Sequence, residues 1–404
     1  MTSSADAVVV GGGVVGASLA FHLASRGMKR VVLCERRFLA AGASGKSGAL
    51  VRMHYTNEPE ARLALASLPY FHHWGDVVGH GSSGFLRTGM IRFVSPDNEA
   101  NLRSNVEMLR RIGVATSVIG SSDVRALAPY WRADDATVAA YEPESGCADP
   151  VATTHAFVAR ARQLGAEVRL QTEVTEVRVA KGRVEGVTTT GGAIASPVVA
   201  VAGGAWGLPL LRSAGVQVAL QPVRIQVSVF RRPPELAALH PVCIDGINEM
   251  WLRPEGPEWG STLVGVSQRQ EISDPDQAPE GVDAGYVRRA RERLARRIPG
   301  IADAPMRGGW AGVITITTDG KPVLDRHPEV DGLWFATGDN GTSFKTAPAV
   351  GRALAEWITA GRPQIVDLRP FRAGRFAEGA PLLGAHEYGE REAEDTQPRG
   401  VSVG

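Results

Sequence analysis

The chain has 404 residues, 44% of them hydrophobic and 22% charged, with a formal net charge of +1. That balance leaves no electrostatic footprint for a nucleic acid or an anionic membrane surface, and the length allows two sizeable lobes. The three cysteines (Cys34, Cys147 and Cys243) form no CxxC pair and no disulfide framework, which fits a reducing compartment and argues against a cysteine-ligated metal.

The apolar run over residues 7–21 lacks the basic leader and unbroken hydrophobicity of a secretory signal, and it is too short to span a bilayer. We therefore expect a soluble, cytoplasmic protein. Residues 6–10 (DAVVV) predict a buried parallel strand. Gly11-x-Gly13-x-x-Gly16 follows, enclosing Val14 and Val15, and then Ala17, Leu19, Ala20 and Leu23 in helical register. Arg26-Gly27 closes that helix, and a second strand, RVVLCE, ends at Glu35. Gly11 permits the tight turn, Gly13 lets backbone approach a pyrophosphate, and Gly16 lets helix and strand pack closely. The helix amino end adds free N–H donors and a positive dipole. Glu35 stands near the usual spacing of about 20 residues for a ribose-binding acid. Its carboxylate accepts ribose hydroxyls and repels a 2′-phosphate, which disfavours NADP despite the adjacent Arg36 and Arg37. FAD and NAD both remain open at this point.

Residues 42–49 (GASGKSGA) form a loop of small residues able to pass close to a planar cofactor. Residues 166–206 predict short strands around a Lys181-Gly182 turn, then a buried strand, VVAVAGGAW. A β-meander that returns to a parallel sheet favours FAD over NAD. Trp251 and Arg253 fall on one face of the strand NEMWLRP. GYVRRARERLARRIPG carries an apolar stripe of Val287, Ala290, Leu294 and Ile298, so it reads as a solvated amphipathic helix. In residues 332–363 a strand (333–336) leads through a glycine-rich loop into a helix expected to begin near Pro348, capped by Thr346. Val350, Leu354, Trp357 and Ile358 line one helix face, and Gly361 and Pro363 end it. Beyond Phe371 the chain is polar and glycine-rich, which predicts a mobile surface segment. No HExxH spacing and no G-x-S-x-G elbow occur, so neither a metal nor a serine nucleophile is expected.

The opening motif, the segment EPESGCADPVATTHAFVARARQLGAEV, the strand VAVAGGAW and the stretch GLWFATGDNGTSFKTAPAVGRALAEWI occur in this order. Together they resemble the D-amino-acid-oxidase superfamily of FAD-dependent amine oxidoreductases, over about residues 5–371. Sarcosine oxidase and dehydrogenase, glycine oxidase and the proline-dehydrogenase β-subunit look nearest. The resemblance implies an α/β protein. A Rossmann-like FAD-binding domain of the glutathione-reductase type (residues 1–82, 147–215 and 322–372) would stand beside an α+β substrate domain built on an antiparallel sheet (83–146 and 216–321). Residues 373–404 would form a tail.

It also implies a site. Gly338, Asn340, Gly341, Phe344 and Lys345 would approach the flavin ring, and Ser44, Lys46, Ser47 and Gly48 the pyrophosphate or isoalloxazine. Arg36, Val174, Ala202, Gly203 and Trp206 complete the expected cofactor set. Lys345 matches a lysine near the substrate carboxylate, and Arg52 an arginine beside the flavin that would bind that carboxylate or hold the loop, with His54 and Trp251 as further catalytic candidates. Three departures narrow this picture. The segment GGWAGVITITTDGKP has no cysteine, so FAD is expected to be non-covalent. Ile314 stands where glycine oxidase has a carboxylate-binding arginine. STLVGVSQRQ lacks the lysine with which sarcosine-type oxidases activate oxygen. The implied reaction is oxidation of the C–N bond of a small amino acid or N-alkyl amine. Oxidation of a 2-hydroxy acid and an FAD-carrying subunit that works with a partner are the alternatives.

Overall fold

The computed structural model describes residues 3–236, 238–256 and 260–389. Ala7–Val10 and Val31–Cys34 are wholly buried strands that pair in parallel, with Val8 opposite Val32. Their unbroken apolar runs follow from having both faces covered. They sit within a six-stranded sheet in the order Val323–Arg326, Leu333–Thr337, Val199–Val201, Ala7–Val10, Val31–Cys34, Glu167–Arg169. Every pairing is parallel except that of the edge strand Val323–Arg326. Helices Val14–Ser25, Pro150–Gln163 and Ser343–Ala360 pack on one face through Leu19, Leu23, Phe157, Val350 and Leu354. A meander of Val174–Ala180, Arg183–Thr189 and Gly192–Ala195 covers the other, through Val177, Val187 and Ile194. This is the Rossmann-like layer expected of the α/β part.

A second, nine-stranded sheet runs Gln270–Glu271, Leu220–Arg231, Ser261–Val266, Met250–Glu255, Val242–Asp245, Met90–Phe93, Ala139–Glu142, Ser117–Ile119, with Met306–Thr317 also paired to Leu220–Arg231. It is antiparallel apart from the Val242–Asp245 and Met90–Phe93 pair. Along helix Ala284–Arg297 and at its end, Ala290, Leu294 and Ile298 of the expected apolar stripe pack on this sheet with Val287 at their margin, joined by Tyr286, which the stripe did not include. Among the described residues no helix is long and apolar enough to cross a membrane.

Two expectations need correction. The last long helix begins at Ser343 rather than near Pro348, and Thr342 rather than Thr346 precedes it. Pro348 is tolerated inside because Ser67 services the disturbed turn: the Ala349 N–H donates to its hydroxyl (3.0 Å), which donates to the Thr346 carbonyl (3.2 Å). The segment beyond Phe371 is also not a free surface segment, as far as the described residues reach. Arg375 and Asp319 are 1% exposed and paired at 2.7 Å, and Asp319 also accepts the Leu382 N–H at 3.0 Å. Polar composition concealed this, because the anchor is a buried ion pair rather than an apolar stripe. Residues 390–404 of the expected tail lie outside the described residues.

Desolvation raises the Asp319 carboxyl, but the hydrogen bonds and charge of Arg375 outweigh it, so its pKa is held below the ordinary carboxylate value. The stabilisation is therefore present at neutral pH and lost as pH falls through that lowered value. Asp319→Asn strands the guanidinium and is expected to cost about 3–5 kcal/mol at pH 7, read as a lower urea midpoint. The gap between wild type and variant should begin to narrow below about pH 4 and close only beneath the lowered folded-state value.

Candidate active site

Strand ends and loops of both sheets enclose one cavity of about 1900 Å³. Ordinary small-ligand pockets hold roughly 300–1,000 Å³, so this volume suits a dinucleotide together with a second molecule.

At one end Gly11 adopts φ +109°, and a Cβ there would stand 2.5 Å from the Ala202 carbonyl oxygen. Gly13, Val14, Val15, Ala202, Gly203 and Val174 line the cavity beside it. Gly16 does not: a Cβ there would meet the Gly11 oxygen at 2.0 Å, so its task is to seat the helix on the strand. Ser44 lines the wall and accepts the Val14 N–H at 2.9 Å, satisfying one of the open donors of the helix. Glu35 is 8% exposed and accepts the Gly12 and Arg37 backbone N–H groups, each at 2.7 Å. Gly12 is a requirement the sequence reading passed over, since a Cβ there would come within 2.9 Å of Glu35 Cγ. Arg36 lies 5.3 Å from the Trp206 ring centre and pairs with Asp276, which also accepts the Trp206 indole N–H at 2.8 Å.

Midway, Ser47 and Gly48 continue the wall. The Lys46 side chain lines it too, but its ammonium is committed to Glu280 at 2.6 Å. The indole of Trp251 lies between two glycines. A Cβ on either Gly48 or Gly265 would come within 2.2 Å of it. Trp251 lines the cavity, and so do Gln268 and Ile314, where lysine and arginine are absent.

At the far end the helix Ser343–Ala360 opens its amino terminus onto the cavity, with Asn340, Gly341, Phe344 and Lys345 on the lining. Asn340 is tied to the long strand, donating its N–H to the Thr315 carbonyl (2.9 Å) and accepting that of Thr317 (3.0 Å). Gly338 is off the lining; its φ of +64° makes the turn, packed on Thr317. Arg52 lies 4.6 Å from the Tyr55 ring centre and donates to the His54 carbonyl. The Lys345 nitrogen is 5.5 Å from the same ring and donates to the Thr342 carbonyl at 2.9 Å. Burial, and then the charge of Arg52, pushes the Lys345 amine well below the ordinary lysine value.

His54 is the expectation that moves. It does not line the cavity, and its imidazole is buried with Nε2 2.7 Å from the Tyr388 hydroxyl. Burial, followed by the charges of Arg92 and Arg52, pushes its pKa well below the usual histidine value. Tyr388, Arg92, Arg289 and Arg293 line the cavity without having been anticipated. The arginines at 289 and 293 stand four apart on one helix, a spacing that the charge run shows; nothing local marks the other two. Among the described residues no group of three or more His, Cys, Asp and Glu side chains could hold a metal ion.

A family model described as FAD dependent oxidoreductase matches residues 6–357, so the chain belongs to that family, and FAD is its cofactor. The chain is similar to glycine oxidase from Geobacillus kaustophilus, 27% identical over 93% of this chain and 98% of the relative. It resembles human mitochondrial sarcosine dehydrogenase at 26% identity over 93% of its own length, spanning only 42% of that protein. Among solved structures, L-proline dehydrogenase from P. horikoshii superposes with a TM-score of 0.87 at 25% identity, covering 95% of this chain and 100% of that one. The site fits FAD on its own terms: glycines where a Cβ would collide, two helix amino ends on one cavity, and a buried carboxylate in the ribose position.

Gly48→Ala should displace Trp251 and weaken FAD binding at least tenfold in titrations of apoprotein. Gly191→Ala, whose Cβ would meet nothing closer than 3.7 Å, should leave it unchanged. Because the folded-state pKa of Lys345 is depressed, the burial penalty on its charge is full below that pKa and vanishes as pH approaches the unfolded value of about 10.4. Wild type should therefore gain stability relative to Lys345→Met as pH rises from 7 to 10, measured by urea unfolding.

Proposed function

We propose that this chain oxidises the C–N bond of a small amino acid or N-alkyl amine to the imine. The observation that carries the reading is the pairing of Arg52 with Lys345 around buried Tyr55, at the cavity end where the second helix terminus opens. When bound, FAD supplies the acceptor for the hydride that leaves the substrate α-carbon, at flavin N5. Arg52 presents a planar fork suited to a carboxylate, and Lys345 adds a donor on the same side. The charge of Arg52 disfavours a nearby ammonium, so the amine is held neutral, with the lone pair that hydride loss requires. Phe344 and Trp251 wall the substrate from water. The amino end of helix Ser343–Ala360 offers a positive potential where negative charge accumulates on reduction.

FAD is held non-covalently in this reading. Cys34 is the one described cysteine on the cavity, at the Glu35 end, and burial pushes its thiol up to about 11. All three thiols are free and buried, which supports a reducing, cytoplasmic setting. The cavity wall at Val266, Ser267 and Gln268 offers no lysine, which supports an electron acceptor other than oxygen.

Anaerobic addition of sarcosine, glycine or L-proline to the purified holoprotein should bleach the visible flavin absorbance, with slow recovery in air. Arg52→Ala should raise the half-saturating concentration or slow reduction at least tenfold, as loss of a charge-assisted contact requires. If no amine bleaches the flavin while a 2-hydroxy acid does, the C–N assignment falls.

A further inference from the structure

Arg52 stands on irregular backbone. The two-residue strand Leu50–Val51 pairs with Gly146–Cys147, and residues 52–55 then leave that pairing without entering a helix or another strand. Arg52 donates to the His54 carbonyl, two residues along, so the place of its guanidinium follows the course of that peptide. Side chains remote in sequence hold the loop. The Met53 N–H donates to buried Glu142 at 3.0 Å, His54 Nε2 lies 2.7 Å from the Tyr388 hydroxyl oxygen, and the Thr56 hydroxyl donates to Glu387 Oε2 at 2.7 Å. The last two of these ties come from the C-terminal segment.

That segment is itself firmly seated. The Asn105 and Asn101 side-chain amides donate to the carbonyls of His386 and Glu387, each at 2.8 Å, and the Gly384 N–H donates to Glu387 at 2.8 Å. A Cβ on Gly384 would stand 2.4 Å from the Thr56 carbonyl oxygen, so the segment lies directly on the loop. The Tyr388 ring packs against the cluster of Val94, Leu102 and Val106, and the Arg92 guanidinium carbon is 4.9 Å from its centre. The His54 imidazole lies nearly parallel to it, at 16° and 6.0 Å between centres. The phenol thus has a settled position from which it meets His54. Such support matters because a group that grips a carboxylate through a planar fork of N–H donors must be held to within about 0.5 Å of its productive place. A misplacement of about 1 Å costs roughly a hundredfold.

We propose that Tyr388 is a positioning residue for the reaction: through His54 it fixes the loop from which Arg52 presents its guanidinium to a substrate carboxylate. The C-terminal segment is then a working part of the site, more than 330 residues along the chain from the arginine it steadies. The inference rests on the assignment of Arg52 to the substrate carboxylate made above, and deepens it. It also gives His54 a role, as the link between the phenol and the loop.

The test is a double-mutant cycle on the FAD-loaded protein, read by the absorbance change of the oxidised flavin on titration with propionate and with its uncharged isostere propionamide. Wild type should bind propionate at least tenfold more tightly than propionamide. Tyr388→Phe keeps the ring and removes only the hydroxyl. It should weaken propionate about tenfold, leave propionamide within twofold and leave FAD affinity unchanged. In an Arg52→Ala background the same change should alter propionate binding less than twofold, because the two residues act along one chain of contacts. His54→Leu should match Tyr388→Phe, and His54→Gln, whose amide extends towards the place of Nε2, should recover part of the loss. If Tyr388→Phe folds poorly, Thr56→Val cuts the neighbouring tie from the loop side and should weaken propionate at least threefold, again only while Arg52 is present. Unchanged propionate binding in Tyr388→Phe, or a tenfold loss that persists in the Arg52→Ala background, overturns the inference while leaving the C–N reading intact. Equal binding of the two probes by wild type removes Arg52 from the carboxylate and the inference with it. Failure of every amine to bleach the flavin strikes the C–N reading alone, since the titration needs no turnover.

Discussion

The Ala202 carbonyl oxygen comes so close to Gly11 that no side chain fits between them, 2.5 Å being the distance a Cβ would have. This contact lets two neighbouring parallel strands, Ala7–Val10 and Val199–Val201, end side by side and turn apart, opening the cleft between them. Gly16 performs the matching service one turn along, holding its helix against the Gly11 backbone. Without these two approaches the first helix could not aim its free N–H groups into the cavity, and Glu35 could not reach the Gly12 amide.

Charged residues from the second sheet's connections close the cleft over this frame. Asp276 binds Arg36 and the Trp206 indole, and Glu280 binds Lys46. These are partly exposed contacts, worth little each to stability. Buried pairs do the opposite work. Arg297 with Asp245, and Arg375 with Asp319, fix connections whose loss would strand a charge. Stability and function diverge at Lys345, where an amine is kept in a desolvated site that a methionine would fill at lower cost.

The cofactor half of the site could be read in the sequence because its demands are local. A turn with φ near +109° accepts glycine, and a strand buried on both faces needs a continuous apolar run. Each such demand leaves its mark within about 30 residues of chain. The start of the last helix was misplaced because its proline is accommodated by Ser67, a partner remote in sequence. His54 was expected at the site from its place in the loop after Arg52, and nothing local shows that its imidazole turns instead to Tyr388, a partner remote in sequence.

The sequence by itself therefore determined the FAD family, the Rossmann-like α/β frame, and the glycines and carboxylate that line one end of the cavity. Only the tertiary structure decided the remaining cavity wall, where Arg52, Arg92, Lys345, Trp251 and Tyr388 come together from five separate stretches of chain. The physical reason is that a phosphate cradle is built from backbone geometry, which consecutive residues dictate. A substrate pocket is built from side-chain charges brought together across the fold, and their mutual distances are set by packing alone.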